Sequence, residues 1–166
     1  MMGNHIRLIF LIIVGLGSTG AAISYFNRAS EIDLPGTQTV SNAALGAILY
    51  AEFCASCHGA DLQGEPDWRS PKEDGTLPAP PHDETGHTWH HGDGMLFRYT
   101  KLGGQAALEA TGVSGFTSGM PGFADQLSDQ EIRDILAFIR STWPGRIQEV
   151  QRQRTEGETA AAGKGI

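Results

Sequence analysis

The sequence has few basic residues, and this shortage argues against one broad class of partner. Lysine and arginine together number 12 in 166 residues, against 19 aspartate and glutamate residues, so the formal net charge is −7. Binding to nucleic acid requires basic side chains clustered against phosphate. The sequence also lacks a glycine-rich phosphate loop, a Ser/His/Asp combination and a pair of carboxylates placed for acid–base catalysis. We therefore expect neither a nucleic-acid-binding protein nor an enzyme.

Long apolar runs are also scarce, and the single one lies at the N-terminus. Residues 6–26 are mostly apolar, and no charged side chain lies between Arg7 and Arg28. About 20 such residues suffice to span a membrane, whereas a secretory signal peptide has a shorter apolar core followed by small residues. We predict that residues 1–28 are a signal-anchor that spans the membrane through residues 6–26, with a cleaved signal peptide as the alternative. Both interpretations indicate export, either anchored at the periplasmic side of a bacterial cytoplasmic membrane or soluble in the periplasm after cleavage.

The rest of the chain divides into a linker, a domain and a tail. Residues 29–40 form a short polar linker, and residues 41–145 contain the helical patterns of one domain. Residues 146–166 have few apolar side chains and therefore little to bury in a core. We predict that this last segment is a disordered tail.

Apolar periodicity predicts helices at both ends of the domain. From Ser41 onward, apolar residues recur at three- and four-residue spacing, and Ser128 to Glu131 form a capping-box pattern before a second amphipathic stretch. Short helical segments are expected at residues 94–102 and 105–110. Prolines and glycines leave little room for long elements elsewhere in the domain. We therefore expect an all-α fold.

The chain contains two cysteines, and both lie in the pattern Cys54-Ala-Ser-Cys57-His58. Two thiols at this spacing can reach the two vinyl groups at one edge of a haem, and the adjacent imidazole can coordinate the iron. A structural zinc site needs two further ligands, and a thioredoxin-like dithiol follows a strand. Here no second cysteine pair exists, and a helix is predicted before the motif. The pattern favours one covalently attached haem c, with zinc and a redox dithiol as the alternatives.

The sequence resembles the class I c-type cytochromes over about residues 41–143. The residues that carry the resemblance are Gly46 and Tyr50, the segment Cys57-His58-Gly59-Ala60-Asp61-Leu62-Gln63-Gly64, Pro80, the segment Ser118-Gly119-Met120-Pro121-Gly122-Phe123, and the helix Leu127–Thr142. The resemblance implies the cytochrome c fold, in which a few short helices wrap around one covalently bound haem, here preceded by an N-terminal apolar helix. It also implies that the first and last helices cross where Gly46 and Phe138 lie.

The resemblance further assigns a role to His58 and to a downstream proline. His58 would be one axial ligand of the haem iron, and the backbone carbonyl of Pro80 would accept a hydrogen bond from its second ring nitrogen. Such a bond fixes the ring and raises the basicity of the ligand. Pro78 and Pro81 remain alternatives, because the intervening loop is longer than in the shortest family members.

Met120 resembles the second axial ligand of the iron in the same family. It lies on a glycine-rich loop, is followed by Pro121 and stands outside any apolar periodicity. A methionine that fills a gap in the core is the alternative interpretation. Met95, on the face of a predicted short helix, is the next candidate ligand.

Four histidines within ten residues are not explained by the minimal cytochrome pattern. His82, His87, His90 and His91 occur together with Trp89. Their N–H groups can donate to the haem propionates or pack the loop, which is the interpretation we favour. Histidine is also the commonest transition-metal ligand, so a second site for copper or zinc stays open. An alternative haem ligand or a partner contact stays open as well.

Ligands on both sides of the iron would leave no open position for substrate, so we expect a one-electron carrier. Its partners would be redox proteins, most naturally membrane respiratory complexes, with a basic or apolar surface facing the haem edge. One alternative is a haem-containing subunit of a respiratory oxidoreductase complex. Others are a copper-handling protein that uses the loop His82–His91, and a haem enzyme or sensor in which Met120 dissociates.

Overall fold

The computed structural model describes residues 40–115 and 117–163. Residues 1–39, which contain the predicted anchor or signal peptide and most of the linker, lie outside the described residues. None of the helices in the described part is long and apolar enough to cross a membrane.

The described residues form six α-helices and one short 3-10 helix, with no strand among them. The α-helices are α1 (Ala43–Phe53), α2 (Ala55–His58), α3 (Asp93–Leu102), α4 (Gly104–Ala110), α5 (Asp129–Ser141) and α6 (Gly145–Ala162), and the 3-10 helix spans Thr88–His90. A single bridge pairs Thr76 with Thr117. The expected all-α fold is confirmed, as are the two short helices expected in the middle of the domain.

Helices α1 and α5 pack closely against each other. Asn42 caps α1, since its side-chain oxygen accepts hydrogen bonds from the first backbone N–H groups of the helix, and its own N–H donates to Asp134 Oδ1 at 2.7 Å. A Cβ atom at Gly46 would overlap the backbone carbonyl of Asp134. One turn further along, the rings of Tyr50 and Phe138 lie with centroids 5.4 Å apart. The two helices therefore cross at Gly46, where the absence of a side chain allows the backbones to touch.

The core lies mainly between α1, α5 and the loops that follow α2. The capping box of α5 is present as predicted, because Ser128 Oγ accepts from the N–H of Glu131 and Glu131 Oε2 accepts from the N–H of Ser128. The buried apolar cluster comprises Leu49, Tyr50, Leu62, Phe123, Leu127, Ile132, Ile135, Ile139, Trp143 and Ile147. Leu62 and Phe123 belong to loops, so the core extends from the helices into the segments that surround the cysteine motif.

The prediction of a disordered tail from residue 146 is wrong, because Gly145–Ala162 forms α6. Pro144 precedes this helix as its N-cap residue, and its carbonyl accepts from the N–H groups of Ile147 and Gln148 at 2.8 and 3.1 Å. Ile147 joins the apolar core, and Gln151 is buried as well.

The polar side chains of α6 are held by the amino end of α3. Gln151 Nε2 donates to Asp93 Oδ1 at 2.8 Å, and the N–H of Asp93 donates to Thr155 Oγ1 at 3.1 Å. Glu158 accepts from the N–H of Gly94 at 3.0 Å and pairs with Arg98 at 3.0 Å. The first N–H groups of a helix have no partner within the helix, so α6 supplies the acceptors that α3 lacks.

Candidate functional site

The cysteine motif begins at Cys54, the residue that joins α1 to α2, and continues through α2 to His58. The N–H of Cys54 donates to the carbonyl of Tyr50 at 2.9 Å, and the N–H groups of Cys57 and His58 donate to the carbonyl of Cys54 at 3.1 and 2.9 Å. The Tyr50 hydroxyl donates to the carbonyl of Gly59 at 2.9 Å, which fixes the end of the motif to α1. Both thiols and the imidazole are therefore presented from one short, hydrogen-bonded segment.

The two thiols differ in environment. Cys54 is half-buried and packs against the core, whereas Cys57 is exposed. Burial, and then the neighbouring Cys57 thiol, raise the pKa of Cys54 to about 11. Reactive dithiols at this spacing have a thiol with a lowered pKa. Cys54 therefore does not show the lowered pKa of a reactive thiol.

His58 is buried, and one of its ring nitrogens is already bonded. Its Nδ1 donates to the carbonyl oxygen of Pro80 at 2.9 Å, the contact that the resemblance implies. The carbonyl of Pro81, a sequence alternative, instead accepts from Thr88 Oγ1 at 3.4 Å. Burial lowers the pKa of His58, more than the bond to Pro80 raises it. The ring is thus a neutral imidazole whose Nε2 lone pair is the one available to a metal.

The loop between Gly64 and Pro80 brings this carbonyl to the histidine. The N–H of Gly64 donates to the carbonyl of His58 at 2.8 Å. Glu65 and Ala79 then exchange two hydrogen bonds, from Glu65 N–H to the Ala79 carbonyl at 2.8 Å and from Ala79 N–H to Glu65 Oε2 at 2.6 Å. Gly64 has a φ of +68°, and a Cβ atom there would meet the backbone of Pro80 and Pro81. The position therefore requires glycine.

Met120 is held by its backbone on the loop beside α4. Its carbonyl accepts from the N–H of Gly104 at 3.0 Å, and its N–H donates to Ser118 Oγ at 3.3 Å. The half-buried Met120 side chain packs against the same core cluster as Cys54. Met95, the other candidate, is half-buried on α3.

The four histidines of the loop are in different environments. The His82 ring stacks on the His58 ring, with centroids 4.0 Å apart and planes 20° apart. His87 stacks parallel to Trp68 at 5.3 Å, and His90 stacks on Trp89 at 3.7 Å. Burial lowers the pKa of His82 well below its ordinary value, and the nearby His58 and His87 lower it further. One histidine of the four therefore contacts the candidate ligand.

This arrangement bears on the second metal site and on His82 as an alternative haem ligand. No group of three or more His, Cys, Asp or Glu side chains in residues 40–115 and 117–163 is placed to hold a metal ion. Because the rings of His82 and His58 are stacked face to face, His82 lies on the same side as His58 of any metal that His58 binds. It cannot then be the ligand on the opposite side.

Trp89 provides a test of whether a haem fits here. Its side chain packs against the core cluster, and its Nε1 is buried with no hydrogen-bond partner in the described part of the chain. Leaving such a donor unpaired costs about 1–3 kcal/mol. A haem carries two carboxylates, which are acceptors for such a group, so the orphaned donor fits a bound haem.

Two contacts near His58 have no signal in the sequence pattern. Trp143 Nε1 donates to the carbonyl of His82 at 2.7 Å, and Thr88 Oγ1 lies 2.8 Å from His82 Nδ1. Trp143 is separated from His82 by 61 positions. Neither its spacing nor its surroundings in the sequence point to this contact.

Comparison with known proteins identifies the family of the chain. The family model described as Cytochrome c matches residues 43–143, from the start of α1 to just beyond the end of α5. No curated protein and no solved structure shows significant similarity. The matched range covers more than half of the chain and includes Cys54, Cys57, His58, Pro80 and Met120. The chain therefore belongs to the cytochrome c family and carries covalently bound haem c, with Cys54 and Cys57 fitting the family's attachment motif.

Proposed function

We propose that this protein is a class I cytochrome that carries one electron at a time, with His58 and Met120 as the axial ligands. Haem-based electron transfer is the general function of the family. The observation that carries the proposal is the 2.9 Å hydrogen bond from His58 Nδ1 to the Pro80 carbonyl. This hydrogen bond occupies Nδ1 of a buried, neutral imidazole. The other ring nitrogen, Nε2, is then the one that can bind iron.

Met120 supports the proposal from a different part of the fold. Its backbone is fixed by Gly104 and Ser118, and its side chain adjoins the core against which Cys54 packs. Haem supplies a one-electron couple, and a thioether ligand favours its ferrous state. With a protein ligand on each side of the iron, no position is left open for substrate. The chain's other contribution is to surround the haem with apolar side chains.

We also propose that residues 6–26 anchor the protein and that its partners are membrane respiratory complexes on the periplasmic side. The apolar run between Arg7 and Arg28 supports the anchor. The net charge of −7 favours a basic or uncharged surface on the partner. Fractionation of the full-length protein tests this proposal. Recovery in the soluble periplasmic fraction, with an N-terminus beyond residue 26, would contradict it.

Optical spectroscopy of matched variants tests the ligand assignment. We expect the oxidised protein to show the absorption band of sulfur-to-iron coordination, and Met120→Ala to lose it. Met95→Ala is the control, since it removes another half-buried methionine, and it should retain the band. The reduced wild-type protein should not bind carbon monoxide readily, whereas reduced Met120→Ala should. A Met120→Ala variant that keeps the band would contradict the assignment.

A further inference from the structure

His82 covers one face of the ring that we propose as an axial ligand. The two imidazoles are 4.0 Å apart between centroids and within 20° of parallel. The Tyr50 ring meets His82 edge-on, at 6.3 Å and 71°. His58 therefore packs against a flat side chain that a second ring also contacts.

His82 is held in place at three points besides this stack. Its backbone N–H donates to the carbonyl of Leu62 at 2.7 Å, and its carbonyl accepts from Trp143 Nε1 at 2.7 Å. Its ring Nδ1 lies 2.8 Å from Thr88 Oγ1, and that hydroxyl donates onward to the carbonyl of Pro81 at 3.4 Å. These bonds fix both the backbone and the rotation of the His82 ring.

The bond to Pro80 restrains small rotations of the His58 ring only weakly. Hydrogen bonds to a carbonyl oxygen tolerate a broad range of angles, so the ring can still rock by small rotations about its Cβ–Cγ bond. A flat group in contact with the face of the ring opposes this rocking. Contacts that orient a metal ligand tune the metal as well as hold it.

We propose that His82 is a positioning residue that fixes the plane of the His58 imidazole and thereby the electronic state of the haem iron. The inference rests on the proposed role of His58 as an axial ligand. In a low-spin ferric haem, the plane of an axial imidazole sets how the unpaired electron is distributed over the macrocycle. The haem methyl shifts in NMR spectra and the g-values in electron paramagnetic resonance report this distribution directly.

Three substitutions separate the effect of the flat His82 ring from the effect of its hydrogen bond to Thr88. His82→Leu removes the flat ring, His82→Phe keeps a flat ring without the bond to Thr88, and Thr88→Val removes the bond while leaving both rings. His87→Leu is the matched control, since His87 is an exposed histidine of the same loop that stacks on Trp68. All are measured as ferric holoproteins, with haem content and thermal unfolding midpoint recorded alongside.

We expect His82→Leu to shift the g-values and the spread of the haem methyl resonances, and to shift the reduction potential. Thr88→Val should move the same signals in the same direction by less, and His82→Phe should stay closer to wild type than His82→Leu. His87→Leu should match wild type. Wild-type spectra from a folded His82→Leu holoprotein would overturn the proposal, as would a His82→Phe shift as large as that of His82→Leu. If His82→Leu yields no holoprotein, Thr88→Val decides, and unchanged spectra there would overturn the proposal.

The role of His58 is tested separately. His58→Ala should lose the low-spin ferric spectrum, with covalent haem still quantified as the pyridine complex. If the low-spin spectrum persists in His58→Ala, the ligand assignment fails and the role of His82 fails with it. If His58→Ala behaves as expected and His82→Leu does not, the positioning role alone is refuted.

Discussion

Adding one methyl group at two helical glycines should change stability in opposite directions. Gly46 and Gly157 both lie within α-helices, and replacing glycine by alanine there improves helix propensity by about 1 kcal/mol. At Gly157 a Cβ atom meets no heavy atom within 4 Å, so this gain is realised in full. At Gly46 the Cβ atom would overlap the Asp134 carbonyl, which is backbone of the facing helix and cannot rotate away. Overpacking of this kind costs up to about 3 kcal/mol, so Gly46→Ala should lose about 2 kcal/mol overall.

Guanidinium unfolding of the oxidised holoproteins, followed by far-ultraviolet circular dichroism, measures both effects. For Gly46→Ala we expect a lower midpoint with an unchanged slope, because the change acts on packing and not on the surface exposed by unfolding. For Gly157→Ala we expect a midpoint above that of wild type. A Gly46→Ala protein as stable as Gly157→Ala would refute the close crossing of α1 and α5.

Two further predictions concern α6 and the histidine loop. Ending the chain at Trp143 should lower the free energy of unfolding by at least about 2 kcal/mol in denaturant titrations, since Ile147 is then lost from the core. An undiminished midpoint in the shorter chain would show that α6 does not stabilise the domain. Burial, followed by the neighbouring histidines, lowers the pKa of His91, and burial followed by His90 lowers that of His87. These folded-state pKa values lie below the unfolded value. The contribution of His87 and His91 to the free energy of unfolding should therefore be fully present above about pH 6.5 and should decrease as the pH falls below it. Proton NMR titration of the ferrous protein should place both ring transitions below that value, and transitions above it would contradict the prediction.

The parts of the fold that could be predicted from the sequence are those that depend on interactions between residues close together in the chain. The capping box needs only Ser128 and Glu131, three positions apart, and the motif around Cys54 and His58 is equally local. Helices α3 and α4 were predicted within one residue at their starts from short apolar spacing. In each case, the physical interaction that makes the element lies within one or two turns of chain.

The histidine loop shows where such reasoning ends. His82 and His87 are five positions apart, yet one stacks on His58 and the other on Trp68. The direction of each ring depends on the 3-10 helix, on the Thr88 hydroxyl and on Trp143, which donates from 61 positions away. Spacing in the sequence contains none of this information.

The tail was mispredicted for a related reason. Its glutamine, arginine, glutamate, alanine and glycine residues are too polar to predict a packed segment, so a disordered tail was expected. Gln151 is nevertheless buried, since the amino end of α3 offers it polar partners. Composition indicates how much apolar surface a segment can bury. It does not show which hydrogen-bond partners are available at the start of another helix.

The contact between Asn42 and Asp134 joins positions 92 residues apart. Closing a loop of that length costs about 4 kcal/mol in chain entropy, and contacts of such separation form slowly during folding. Synthesis proceeds from the N-terminus, so the segment that contains Cys54, Cys57 and His58 exists well before α5 does. The residues that attach the haem therefore belong to a part of the chain that is made early and folds through local contacts. The core around them can form only after α5, the last helix of the matched range, has been synthesised.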